Sequence, residues 1–168
     1  MFENTKFKTG VDYYHRLSFI FNLILALPLI PFGLLYLRSL KDNSPFYELT
    51  ETVSMVIDLL ALFFAIILLV KAILTYRKER AGIIAKSGLR LKMIELHDSL
   101  LKGYSRLLIA CFLATFGFFF TGSKIHVVLF VIILVLFSLK RPSLKLIVEE
   151  LELKNDESQV LRERAEIE

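Results

Sequence analysis

The side chains able to do chemistry are few and far apart. The chain has 3 histidines (His15, His97 and His126) and 1 cysteine, Cys111. One carboxylate stands out by its setting. Asp58 sits in the run SMVIDLLALFFA, with apolar neighbours on both sides. It is the only Asp, Glu, Lys or Arg inside any of the 4 apolar blocks, at 17–37, 53–70, 107–120 and 125–139. At hydrocarbon depth an ionised side chain costs roughly 3 kcal/mol at a helix centre and less towards an end. Asp58 therefore needs a partner, a proton or water. His126 and Lys124, at the start of the fourth block, lie at matching depth, and Arg38 closes the first. The pair Asp58–His126 is the preferred one, with Lys124 or Arg38 as substitutes. Such a pair is either a clasp between helices or a titrating site on a conduction path. The clasp leads, because a path needs polar groups in series and only Thr115, Asn22 and Ser138 could continue it.

Other chemistries find no support in the spacing. Haem ligation wants histidines at one depth on facing helices, whereas His15 and His97 fall on one side and His126 on the other. No His/Cys/carboxylate cluster has metal-ligand spacing. AKSGLR is not a phosphate loop, and no nucleophile elbow is present. The expectation is a non-enzyme with no cofactor and no metal. A single cysteine excludes an internal disulfide.

The elements that must position these residues follow from the blocks. The chain has 168 residues, is 55% hydrophobic and holds 15 phenylalanines. A bilayer core of about 30 Å needs about 20 helical residues. Spans are expected at 17–38, 53–76, 104–121 and 124–140, the last two only just long enough. The fold class is all-α: an integral membrane protein with four transmembrane helices arranged as two hairpins with cytoplasmic helical extensions. The first block is too long for a signal-peptide core, and no small-residue cleavage site follows it.

Orientation follows from Lys and Arg. The segment 71–102 carries 8 of them against Glu79, Glu95 and Asp98. This places the loop 77–103, the N-terminal segment 1–16 and the C-terminal segment 141–168 in the cytoplasm. The net charge of +4 is then explained by anionic headgroups, without nucleic acid. Leu89, Met93, Leu96, Leu100 and Leu107 form a helical stripe that should run into the third span, with a possible bend at Gly103. Ser87-Gly88 signals a turn. Ser143 should cap a helix with Leu144, Ile147, Val148 and Leu151 on its apolar face. The acidic tail should pack on the basic central segment.

Within the membrane, small residues mark faces for close packing. The expected stripes are Ser18, Asn22, Ala26 and Gly33 in the first span, and Ser54, Asp58, Ala61, Ala65 and Ala72 in the second. The third offers Ala110, Ala114 and Gly117. The fourth has none and should face lipid or another subunit. Pro28 and Pro31 should kink the first span. Tyr14-His15-Arg16 and Tyr104-Ser105-Arg106 look like paired interfacial anchors.

These features point to an accessory or assembly subunit of a larger membrane complex. Its partners would be the lipid bilayer and other membrane subunits, or copies of itself. Short loops and small size favour a bacterial inner membrane. The alternative is a homo-oligomeric ion channel or proton-coupled transporter subunit using Asp58. The layout of two cytoplasm-facing hairpins with an amphipathic helix also resembles, in architecture, reticulon-like membrane-shaping proteins. That resemblance implies that the short second hairpin acts as a wedge.

Overall fold

A computed structural model of the chain describes residues 7, 9–41, 47, 49–153 and 155–162. It is all-α. Helix α1 spans Gly10–Lys41, α2 Glu51–Ile84, α3 Leu89–Thr121 and α4 Lys124–Leu139. Two short helices follow, α5 Leu144–Glu150 and α6 Asn155–Arg162. The first three have 32, 34 and 33 residues. At 1.5 Å per residue each is about 50 Å long, well beyond the roughly 30 Å hydrocarbon core. All three are apolar enough to cross a membrane. Helix α4 has 16 residues, about 24 Å. It qualifies as a fourth span only together with α5, and that pair is bent by 81°. Three long apolar helices plus one bent pair are therefore the candidate spans of an integral membrane protein.

The long helices run through the expected loops because nothing stops them. The stretch after Lys71 has no breaker until Ala85, where the α2 cap is right-handed. The turn then closes on Gly88, whose φ of 97° suits a residue without a Cβ. Thr9 opens α1 earlier than expected, its Oγ1 accepting from the Asp12 amide at 3.2 Å. α1 stays helical through Pro28 and Pro31, and α3 through Gly103.

Helix α3 is the axis of the molecule. It packs along α2, α4 and α1, whereas α1 and α2 do not pack along each other. Ala61, Ala65 and Ala72 of α2 and Ala110, Ala114 and Gly117 of α3 are buried, so the small-residue faces of these two helices do pack. The first-span stripe does not. Asn22 is exposed, Ser18, Ala26 and Gly33 are half-exposed, and a Cβ added at Gly33 would meet nothing within 4 Å. α1 turns another face inward: Gly10, Tyr13, Leu17, Phe21, Pro28 and Phe32 are its buried residues. Large rings gain more contact area than small residues against a neighbour that is itself aromatic. Phe32 stacks on Phe130 of α4 at 3.8 Å between centroids, and Phe21 meets Tyr104 at 5.3 Å.

Helix α4 likewise has an inner face, formed by His126, Leu129, Phe130, Ile133 and Phe137. Tyr104 is not an interfacial anchor. It is 1% exposed and its hydroxyl donates to the Lys140 carbonyl at 2.9 Å, tying the start of one span to the end of the next.

Beyond the spans, the α2 and α3 extensions pair and the C-terminal helices dock on them. Ser143 caps α5, its Oγ accepting from the Leu146 amide at 3.0 Å. Ile147 and Leu151 are buried. Arg80 of α2 donates through Nε to the Glu150 carbonyl at 3.0 Å and pairs with the Glu150 carboxylate at 2.8 Å. Lys92 of α3 faces Glu157 of α6 at 3.4 Å, and Lys86 pairs with Glu95 across the turn. Helix α6 seats Leu161 against Gly10, where a Cβ would lie 2.7 Å from the Leu161 carbonyl oxygen. Tyr13 locks α1 to α3, donating to the Met93 carbonyl at 2.9 Å.

Candidate functional site

Two elements bring a carboxylate and an imidazole together at the end of the bundle opposite the basic extensions. Asp58 comes from α2, on the face that carries Ala61 and Ala65, so the packing of that face on α3 aims it inward. His126 comes from the first turn of α4. Its place is set by the turn Thr121–Ser123. Gly122 adopts a left-handed conformation (φ 64°) and its amide closes α3 on the Phe118 carbonyl at 2.8 Å. Thr121 Oγ1 donates to the Gly117 carbonyl at 2.9 Å and accepts from the Ser123 amide at 3.2 Å. The His126 amide then bonds the Ser123 carbonyl at 3.2 Å. The chain reverses within three residues and lays α4 against α3.

The reversal sets His126 directly over Gly117. A Cβ at Gly117 would stand 2.3 to 2.6 Å from three imidazole atoms, so only glycine leaves room for the ring. His126 Nε2 lies 2.7 Å from Asp58 Oδ1. In this contact an Nε2–H imidazole donates to a carboxylate oxygen. His126 is 0% exposed and the Asp58 side chain 24%. His126 Nδ1 is buried and has no hydrogen-bond partner among the described residues. As a lone pair Nδ1 loses one acceptor bond, whereas an N–H there would be a stranded donor. The geometry therefore suits an Nε2–H imidazole.

The structure thus brings together Asp58, His126 and Gly117 from three helices. Lys124 and Arg38 are exposed, and the described partner of Asp58 is His126. The polar residues that could extend a path are not gathered at it. The Thr115 hydroxyl is bonded to the Cys111 carbonyl at 2.8 Å, and Asn22 and Ser138 lie on the outside. Among the described residues no hydroxyl or thiol hydrogen-bonds to either member of the pair, and no group of three or more His, Cys, Asp or Glu could hold a metal. The arrangement can join three helices in lipid, where an interhelical hydrogen bond contributes about 0.6 kcal/mol on average.

The specific role of Gly117 is not read from small-residue spacing, which marks it only as a packing position. The signal lies in the turn: residues nearly equidistant from Gly122 face each other in an antiparallel hairpin, and Gly117 and His126 are such a pair. His97 is a second buried imidazole, 5.9 Å from the Tyr13 ring, in the extension layer. Burial pushes its pKa below the ordinary histidine value, Arg16 adds to this and Asp98 opposes it. Glu79 in the same layer is held below the usual carboxylate range, with the Lys102 ammonium at 3.3 Å and the Arg106 charge acting against the opposing effect of burial. No protein family, curated protein or solved structure matches the chain.

Proposed function

We propose that the protein is a non-catalytic accessory or assembly subunit of a larger membrane complex. Its four helices cross as two hairpins, with both termini and the extension layer in the cytoplasm of a bacterial cell. One observation carries this reading. The α1 stripe of Ser18, Asn22, Ala26 and Gly33 is not buried by its own bundle: Asn22 is exposed at membrane depth and the other three are only partly covered. Small residues let another helix approach closely, and an amide in hydrocarbon is best satisfied by a neighbouring helix. A stripe of this chemistry, only partly covered by its own chain, suits a partner span. The Asp58–His126 pair then serves as the clasp that fixes the second hairpin against the first.

A conduction role finds less support, because Asp58 is already bonded and no polar series leads from it among the described residues. A membrane-shaping role draws on one feature, the shortness of α4 and its 81° bend into α5.

The test is mild extraction of the tagged protein from its own membrane, followed by native mass measurement. Other subunits should co-purify at a fixed ratio. Asn22→Leu and Gly33→Leu should release them without lowering the thermal midpoint of the isolated chain. A monomer, or a homo-oligomer alone, would sink the reading. Proton flux into liposomes that disappears in Asp58→Asn would replace it with the conduction role.

A further inference from the structure

A half-open cavity of about 260 Å³ lies between α2, α3 and α4 at the basic end of the bundle. It is just smaller than the usual ligand-sized pocket of about 300–1,000 Å³, room for part of a ligand. Its walls are mainly aliphatic, with Ala72, Leu107, Leu136 and Leu139 among them. Gly103 leaves one side open, since a Cβ there would meet nothing within 4 Å. The lining also contains two cations, Arg77 and Lys140. Arg77 is exposed and pairs with no carboxylate among the described residues. Lys140 stands 4.2 Å over the Tyr76 ring and 3.7 Å from Glu150. The Glu150 carboxylate is also engaged by Arg80 at 2.8 Å, so it does not neutralise this end.

We infer that this cavity is a binding site for an anionic glycerophospholipid, with part of one acyl chain between α2, α3 and α4 and the phosphate on Arg77 and Lys140. The inference rests on the membrane embedding of the helices and not on the assembly role. The height of the site fits. It lies where α2 leaves its apolar run, where α3 enters its own and where α4 ends, which is the level of headgroups. Apolar walls with a cationic rim match a lipid better than a free phosphate, which gains nothing from the walls. They also match it better than an uncharged lipid, which would leave Arg77 without a counter-charge.

The experiment is native mass spectrometry of the purified full chain in detergent, with phosphatidylglycerol or phosphatidylcholine of identical chains. The wild type should retain one phosphatidylglycerol at least about fivefold better than phosphatidylcholine, the discrimination expected of a single interfacial cation. Arg77→Gln should lose about fivefold of that preference. Gly103→Leu should lose retention of both lipids while its helix content and lipid-free thermal midpoint hold. Equal retention of the two lipids by the wild type would overturn the proposal, as would undiminished retention in Gly103→Leu. Glycerol phosphate binding as tightly as the intact lipid would overturn it too. Should Gly103→Leu not fold, Arg77→Gln alone decides, because Arg77 is exposed and pairs with no carboxylate among the described residues.

Discussion

Replacing Gly117 by alanine should destabilise this protein, against the ordinary trend. In a helix interior Gly→Ala stabilises by about 1 kcal/mol, through lower chain entropy and better helix propensity. At Gly117 the new methyl would stand 2.3, 2.5 and 2.6 Å from His126 ring atoms. Those distances are well inside van der Waals contact, so ring or helix must move. Overpacking of this kind costs about 1–3 kcal/mol. A displaced ring also gives up its bond to Asp58, worth about 0.6 kcal/mol on average and up to about 1.7 in membrane interiors. After the propensity gain is subtracted, a net loss of about 0.6–3.7 kcal/mol remains. The assay is thermal unfolding in mild detergent, followed by circular dichroism because the chain contains 0 tryptophans. Gly103→Ala is the control, since a Cβ there meets nothing within 4 Å and should stabilise by about 0.5–1 kcal/mol. In a His126→Ala background, Gly117→Ala should turn from destabilising to neutral or stabilising. If Gly117→Ala and Gly103→Ala raise stability alike in the wild type, the seating of His126 over Gly117 is wrong.

Three further outcomes follow from the same contacts. Asp58→Leu and His126→Leu should each lower stability, with a coupling of about 0.6–1.7 kcal/mol in a double-mutant cycle; additive effects would mean that the pair is not formed. Gly10→Ala should loosen α6, because its Cβ would meet the Leu161 carbonyl at 2.7 Å. Hydrogen exchange at 155–162 should quicken, while Gly82→Ala, which meets nothing, leaves it unchanged. Acid should weaken the extension layer in two stages. His97 has a lowered folded pKa, so its contribution is complete above the unfolded value of about 6.5 and is lost as pH falls through the folded one. Glu79, also lowered, holds its contribution above about 4.3 and loses it at lower pH. Unfolding titrations of His97→Phe should lack the first stage, and an unaltered profile would remove His97 from the account.

Long-range hydropathy and local signals carried much of the architecture. The apolar blocks, the lysine and arginine clusters and the absence of breakers after Lys71 marked the long helices, and Ser87-Gly88 marked the turn that joins two of them. Ser143 marked its own cap. These readings succeed because bilayer thickness, helix propensity and capping act over a few residues and are independent of what lies across the bundle. A lone carboxylate in an apolar run likewise declares its need for a partner. Depth, counted in turns from the span ends, brought forward His126 together with Lys124 and Arg38.

The small-residue rule could not rank faces. It offered the α1 stripe as the packing surface, whereas the buried face of α1 is the one that carries Phe21 and Phe32. The choice depends on Tyr104, Phe130 and Phe137, which sit on other helices. Nor could periodicity show that Tyr104 is buried, since its partner, the Lys140 carbonyl, is 36 residues away. The sequence by itself determined an all-α chain built to lie in a membrane, with a basic side and one carboxylate in need of a bond. Only the tertiary structure decided that α3 is the axis, that Gly117 makes room for His126, and that a basic-rimmed cavity opens beside Gly103. The physical reason is range: hydrophobicity, charge and propensity are properties of residues and their near neighbours, whereas a seat for a ring or a cavity is a property of surfaces that meet only after folding.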